Sequence, residues 1–407
     1  MDDLDLTDLD RFAHGFPYEV FDELRREAPV WWHPATEHTP GGEGFWVISR
    51  YTDVVAAASD ATTFSSEGGP GRTGGGTLIE DLPGGFAAGV LLNMMDAPRH
   101  QHFRRLLTPS LTPRTLQTIE EDLRRRAERI VDAALAKGEC DFLTDVAAEL
   151  PLQAVAQLLG VPQEDRHQLL LWADATLDHE DRALGESTER TQQAAAEMFA
   201  YGTALLERKR TDPADDLLSL AAHARIDGAP LSDLEEQMLF NLLIAAGSET
   251  TRNAIAVGVH AMIDNPHTWE RLQGNRQQLP TAIEEMLRWS SPTPYNRRTA
   301  TRDITLGGQQ IRAGDKVTLW WASANRDDET FPGAYRFDIT RTPNPHLAFG
   351  RGGHFCLGAA LARMEMRVVL DTLLDRVDSL ELTAPIEHTR SNKHTGIRHM
   401  PIHLTPR

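Results

Sequence analysis

One stretch constrains this chain more than any other: Phe349-Gly350-Arg351-Gly352-Gly353-His354-Phe355-Cys356-Leu357-Gly358, close to the C-terminal end. It holds one of only two cysteines and runs into a small-residue helical segment, Ala359 to Glu365. The spacing is F-x-x-G-x-H-x-C-x-G. Glycines in such a loop permit positive φ and let a flat group approach the backbone. A helix that starts just after Cys356 points its free N–H groups and positive dipole end back at the sulfur. A thiolate serving as a metal ligand needs both. A lone buried cysteine is more often a small hydrophobe, but five further positions here fit a ligand loop. A structural zinc site wants four ligands, and His354, Cys356 and the distant Cys140 are too few.

The segment resembles the haem-binding signature of the cytochrome P450 family. The resemblance implies Cys356 as the axial ligand of haem b iron, with Phe349, Gly350, His354 and Gly358 around the cofactor. A thiolate ligand favours O–O cleavage. The fold it implies is mainly α with a smaller β region.

Composition sets the frame. The 407 residues are 41% hydrophobic, enough for a large core, and no linker or repeat divides them, so a single domain over 1–407 is expected. The acidic start Met1-Asp2-Asp3-Leu4-Asp5 carries no apolar run, so no membrane anchor and a cytoplasmic location are expected. A net charge of −19 argues against nucleic acid as a partner. Arg104, Arg105, Arg351, Arg363 and Arg367 form a local basic set that suits either an acidic electron carrier or the cofactor.

A short helix is expected over Tyr18 to Ala28, a strand near 45–51, and a helix over Tyr51 to Ser59. Residues 65–92 are glycine-rich and lack the ending of a phosphate loop. They read as a flexible connection, or, by resemblance, as the loop covering a substrate pocket. His100 and Arg104 stand at i, i+4 on one helical face, and the family pattern implies that they grip a haem propionate. Helices are expected over Leu116 to Lys137, Phe142 to Leu159 and Thr188 to Arg210. The acidic run Leu177 to Asp181 reads as a solvent-facing loop.

Ser232-Asp233-Leu234-Glu235 fits a capping box. A helix of roughly thirty residues, on the order of 45 Å, should follow and stop at Asn265-Pro266. Its middle, Leu242 to Ala246, is apolar, and Gly247-Ser248-Glu249-Thr250-Thr251 interrupts it. A mid-helix glycine costs about 1 kcal/mol, and a buried carboxylate is costly without a partner. The bland reading is a helix bend with hydroxyls bonded back one turn. The resemblance implies the family's acid–alcohol pair: Thr250 as the hydroxyl over the iron, Glu249 as the acid behind it, with Ala245 and Ala246 leaving room. The arm is Glu where Asp also occurs.

Glu285 and Arg288 lie at i, i+3, ordinarily a weak surface pair. By resemblance they form a buried structural set with Arg341. Arg298, ahead of Arg297, is expected on a haem propionate. The substrate pocket is expected to draw on Leu242, Ala245, Thr293, Pro294, Tyr295 and Ile397. Strands are expected near 304–321 and 395–405, the latter as a terminal hairpin whose turn enters the pocket. The implied reaction is monooxygenation of a hydrophobic small molecule by O2. Electrons would come from a ferredoxin or flavodoxin served by an NAD(P)H-dependent reductase, since no flavin or dinucleotide motif is present. The substrate lean is to sterols, branched lipids or terpenoids. A tailoring enzyme for aromatic natural products, a peroxide-driven enzyme and a non-catalytic haem sensor are the alternatives.

Overall fold

The computed structural model describes residues 4–177 and 184–407. The acidic run Asp178 to Asp181 lies outside them. The organising element is the helix Asp233–Asp264. Ser232 caps it by accepting from the Glu235 N–H while the Glu235 side chain accepts from the Ser232 N–H at 2.9 Å. Asp233, Glu235 and Glu236 sit in its first turn, where the helix dipole favours negative charge. Asn265 and Pro266 end it, as expected.

This helix is apolar nearly all round because it is packed on several sides. Its N-terminal half joins a core with Glu149–Leu159, Arg166–Leu177 and Glu189–Thr211. Its C-terminal half joins another with Pro113–Lys137, Leu279–Ser290 and Ala359–Arg376. Gly247 is where the first of these packs closest: a Cβ there would lie 2.3 Å from a Val155 methyl. The expected helix from Phe142 is in fact a π-helical turn, Leu143–Ala147, followed by the α-helix from Glu149.

The β region stands to one side. Strands β1 (Val30–His33), β2 (Phe45–Ile48), β3 (Phe64–Ser65), β4 (Tyr295–Ala300) and β5 (Lys316–Trp320) form one sheet in the order β1-β2-β5-β4-β3. Side chains along β4 alternate between its faces, so Tyr295, Arg297 and Thr299 share one face and Asn296, Arg298 and Ala300 the other. A second sheet joins Val377–Leu382, Pro401–Pro406 and Glu139–Asp141. The expected terminal hairpin does not form. Ile397–His399 pairs with Glu387–His388, whereas Pro401–Pro406 pairs with the second sheet. The chain changes sheet at Met400-Pro401, where proline can open a strand but not continue a ladder as a donor.

Glu285 and Arg288 are buried completely, with oxygen and nitrogen 2.7 Å apart. Glu285 also accepts from Arg341 at 3.1 Å, from the Asn344 amide at 3.1 Å and from the Asp338 N–H at 2.9 Å. Arg288 donates to the carbonyls of Asn325 and Ala334. One carboxylate thus holds the irregular chain that leads into the cysteine loop. Glu285→Ala leaves two buried guanidiniums without their anion, and a loss of about 3–5 kcal/mol of stability is expected, read as a lowered urea midpoint with an unchanged slope.

Candidate active site

The cysteine loop is held by its own backbone. Cys356 N–H donates to Phe349 O at 2.8 Å, Gly350 N–H to Leu347 O at 2.9 Å and Phe355 N–H to Gly352 O at 3.1 Å. Gly352 has φ +72° and lies against the helix Tyr51–Ser59; a Cβ there would fall 2.5 Å from Ala58 O. Arg104 Nη1 donates to Phe355 O at 2.7 Å, which ties the helix Arg99–Leu107 to the loop. Cys356 is solvent-accessible. The surrounding protein pushes its thiol pKa up, against which the Gly358 N–H and the charges of Arg104 and Arg363 act to favour the thiolate.

Four of the expected cofactor-binding side chains, His100, Arg104, Arg298 and His354, meet at this loop. The His100 ring stacks on His354 with centroids 3.9 Å apart. Burial and the neighbouring Arg104 lower the His100 pKa to about 4. Burial and the charges of Arg298, His100 and Arg104 also pull His354 down. Arg298 is buried and donates to Arg297 O at 2.8 Å; burial brings its guanidinium down to about 10. Ser66, which the sequence reading did not single out, lies 3.1 Å from His354 Nε2. Arg297 points the other way, to Asp81 at 2.7 Å.

On the long helix Thr250 Oγ donates to Ala246 O at 2.8 Å and Ser248 Oγ to Ile244 O at 2.8 Å, the back-bonding that hydroxyls make inside helices. Ala246 is exposed in the middle of this otherwise buried element, and Leu242 and Ala245 are half-buried. Glu249 is buried, and burial raises its carboxyl to about 7 although Arg252 works against the shift. Its Oε1 is 3.8 Å from Arg252, which is itself paired with Asp174 at 3.0 Å. Glu365, on the helix that follows Cys356, is also buried and bonds to the Thr251 side chain; burial raises it to about 8. The sequence carried no sign of that: Glu365 reads there as one polar residue of a helix.

Two of the residues expected at the pocket are packed into cores. Tyr295 is fully buried with its ring 4.8 Å from that of Trp320, in a cluster with Phe12, Phe21 and Phe45. It shares the Arg297 face of β4, opposite Arg298. Ile397 is 2% exposed and belongs to the core around the C-terminal half of the long helix. Thr293 is half-buried and Pro294 buried just before β4.

The glycine-rich loop is anchored more firmly than its composition suggests. Arg72 reaches Glu43 and Asp81, Arg297 donates to the carbonyls of Leu78 and Glu80, and Lys316 lies 3.2 Å from Glu43 and 3.4 Å from Asp81.

Comparison with known proteins decides the family. The family model described as Cytochrome P450 matches residues 134–390. The chain belongs to the cytochrome P450 family. A Mycobacterium tuberculosis protein named only as cytochrome P450 126 is 49% identical over 98% of this chain and 97% of its own. The Methyl-branched lipid omega-hydroxylase and the Steroid C26-monooxygenase of the same organism are 39% and 37% identical, over 98% and 99% of this chain and 94% and 93% of theirs. The structure of Mycobacterium marinum cytochrome P450 CYP268A2 in complex with pseudoionone superposes with a TM-score of 0.90 at 34% identity, over 99% of this chain and 98% of that one. The mainly helical fold with a smaller β region is therefore the P450 fold, and the protein is a P450 monooxygenase. No helix among the described residues is long and apolar enough to cross a membrane.

The family implies a haem cofactor, and the residues of this P450 fit one. A single accessible thiol sits on a glycine loop, and the guanidinium groups of Arg104 and Arg298 and the neutral imidazoles of His100 and His354 cluster beside it.

The two raised carboxyls give a pH signature. Each binds its proton more tightly folded than unfolded, so stability falls as pH rises from about 4.5 through 7 for Glu249 and through 8 for Glu365. Glu365→Gln removes the Glu365 share of that dependence and leaves the Glu249 share. Thermal melts should show the variant gaining on the parent as pH climbs through this window; a constant difference would mean Glu365 titrates normally.

Proposed function

We propose that this P450 hydroxylates a hydrophobic small molecule of the sterol, branched-lipid or terpenoid kind. The observation that carries the reading is the chemistry of the residues around the middle of the long helix. Leu242, Ala245 and Ala246 are apolar, and Thr250 adds only a hydroxyl, already turned back on Ala246 O. Such a wall offers a charged headgroup no partner and favours an apolar ligand oriented by one or two polar contacts. The names of the steroid and branched-lipid relatives, and the pseudoionone bound to the structural neighbour, support the same class.

Haem b, held without covalent attachment, fits a chain whose two cysteines make no C-x-x-C-H run. Cys356 would ligate its iron; His100, Arg104, Arg298 and His354 would hold its propionates, with Phe349, Gly350 and Gly358 lining the ligand side and Ala246 the other. Thiolate-ligated haem supplies reductive activation of O2. The protein's part is to deliver protons without admitting bulk water. Thr250 holds a hydroxyl at the site, and Glu249 behind it keeps its proton up to about neutral pH because burial raises its pKa to about 7, the range that suits a general acid. Electrons would come singly from a ferredoxin or flavodoxin with its NAD(P)H-dependent reductase. Arg105 and Arg351 are exposed near the cysteine loop and would receive an acidic carrier in the cytoplasm.

Thr250→Ala should keep substrate binding but divert reducing equivalents from product to peroxide and water. Product formed per reductant consumed measures this, and unchanged coupling would sink the relay. Substrate class is tested by titrating the purified haem protein with sterols, branched fatty acids, terpenoids, indoles and aromatic polyketide-like compounds. A saturable low-to-high-spin shift with the first three classes is the expected result; a shift confined to the aromatic compounds would point to natural-product tailoring.

A further inference from the structure

The segment 391–395 has no regular secondary structure, yet Ser391, Asn392 and Lys393 are buried and His394 has a side chain only 14% exposed. It is fixed from several directions. Asn392 donates to Leu6 O at 2.9 Å, Lys393 Nζ to Tyr295 O at 3.0 Å, and Thr395 Oγ to Ser291 O at 2.9 Å. Gly396 abuts the long helix so closely that a Cβ would lie 2.3 Å from Asn253 Oδ1. Any side chain there would have to displace the buried Asn253 amide.

Within this frame His394 Nδ1 stands 3.4 Å from Glu249 Oε2. Both atoms are buried and neither has a hydrogen-bond partner, and the same holds for Asn253 Oδ1. Buried polar atoms are rarely left so, because each costs desolvation without return. A closure of about half an ångström turns this contact into a hydrogen bond. The charged groups facing the pair are Arg252 from the long helix, Asp174 from the helix Arg166–Leu177, and Lys393 from the segment itself.

We propose that His394 is a positioning residue for the proton-donating carboxyl: protonated Glu249 donates from Oε2 to the neutral His394 Nδ1, which holds the acid in place between turnovers. The inference rests on the reading of Glu249 as the acid. The pair carries no net charge, as its burial demands. Burial holds the Glu249 proton on up to about neutral pH, while burial and the neighbouring cations Lys393 and Arg252 keep His394 unprotonated. When the carboxyl gives its proton to the Thr250 side, the carboxylate left behind faces Arg252, and the imidazole stays neutral throughout. A neutral acceptor stabilises the protonated acid, so removing it lowers the carboxyl's titration midpoint.

The test uses the haem-loaded enzyme and reads the carboxyl directly. The infrared carbonyl band of protonated Glu249 is identified by its loss in Glu249→Gln, then titrated in the parent, His394→Ala and His394→Asn. Asn presents an acceptor oxygen where Nδ1 stood. The expected result in His394→Ala is a band moved to the frequency of a weaker hydrogen bond and a lower midpoint, with both restored toward the parent in His394→Asn. Coupling should fall about tenfold in His394→Ala, with no further loss when Glu249→Gln is added, and the substrate-induced spin shift should persist in every variant. A band and midpoint unchanged in His394→Ala overturn the proposal, and so does failure of His394→Asn to restore them. If instead the band responds as expected but Glu249→Gln couples like the parent, it is the acid reading that fails.

Discussion

The buried Glu285 carboxylate is the interaction on which the ligand side depends. It collects Arg288, Arg341, Asn344 and a backbone N–H, and through Arg288 it reaches two carbonyls of the chain that precedes the cysteine loop. That chain has almost no regular structure, so no helix or sheet ladder places it. A charge with every lone pair engaged does so instead. The cost of burying such ions is large, and it is offset because the same group satisfies donors that irregular backbone and two arginines would otherwise leave unmatched.

The opposite side follows a different logic. The long helix is apolar on most of its circumference, and the polar residues at its centre are the ones its packing tolerates least. Thr250 and Ser248 turn their hydroxyls back on the helix, Glu249 is kept neutral by burial, and Glu365 holds Thr251 from the neighbouring helix. Burial raises the pKa values of two carboxyls beside one helix turn toward neutrality. They make the protein less stable as pH rises.

Much of this was readable in the chain because it rests on local rules. The capping box at Ser232, the proline stop after Asp264 and the i, i+4 pair His100 and Arg104 are short-range features, and they emerged where expected. The burial of Tyr295 beside Trp320 on the face opposite Arg298 follows from strict alternation along its strand, which the sequence already held. His394 and Glu365 were not legible at all. Each meets its partner across more than a hundred residues, and nothing in a coil segment or a small-residue helix announces such a contact. The failed hairpin has the same origin, since which sheet a strand joins is decided by distant partners.

The anchoring of the glycine-rich loop bears on how ionic strength acts on this enzyme. Its cations, Arg72, Arg297 and Lys316, have side chains no more than 10% exposed, though their acidic partners Glu43 and Asp81 are partly open. Mobile ions screen exposed charges over about a Debye length, and buried ones far less. The exposed Arg105 and Arg351 lie in the first regime and the loop's clamp in the second. With the carrier received at Arg105 and Arg351 as proposed above, a dependence of turnover on added salt reports that meeting more than any loosening of the clamp, and the two can be separated without altering a residue.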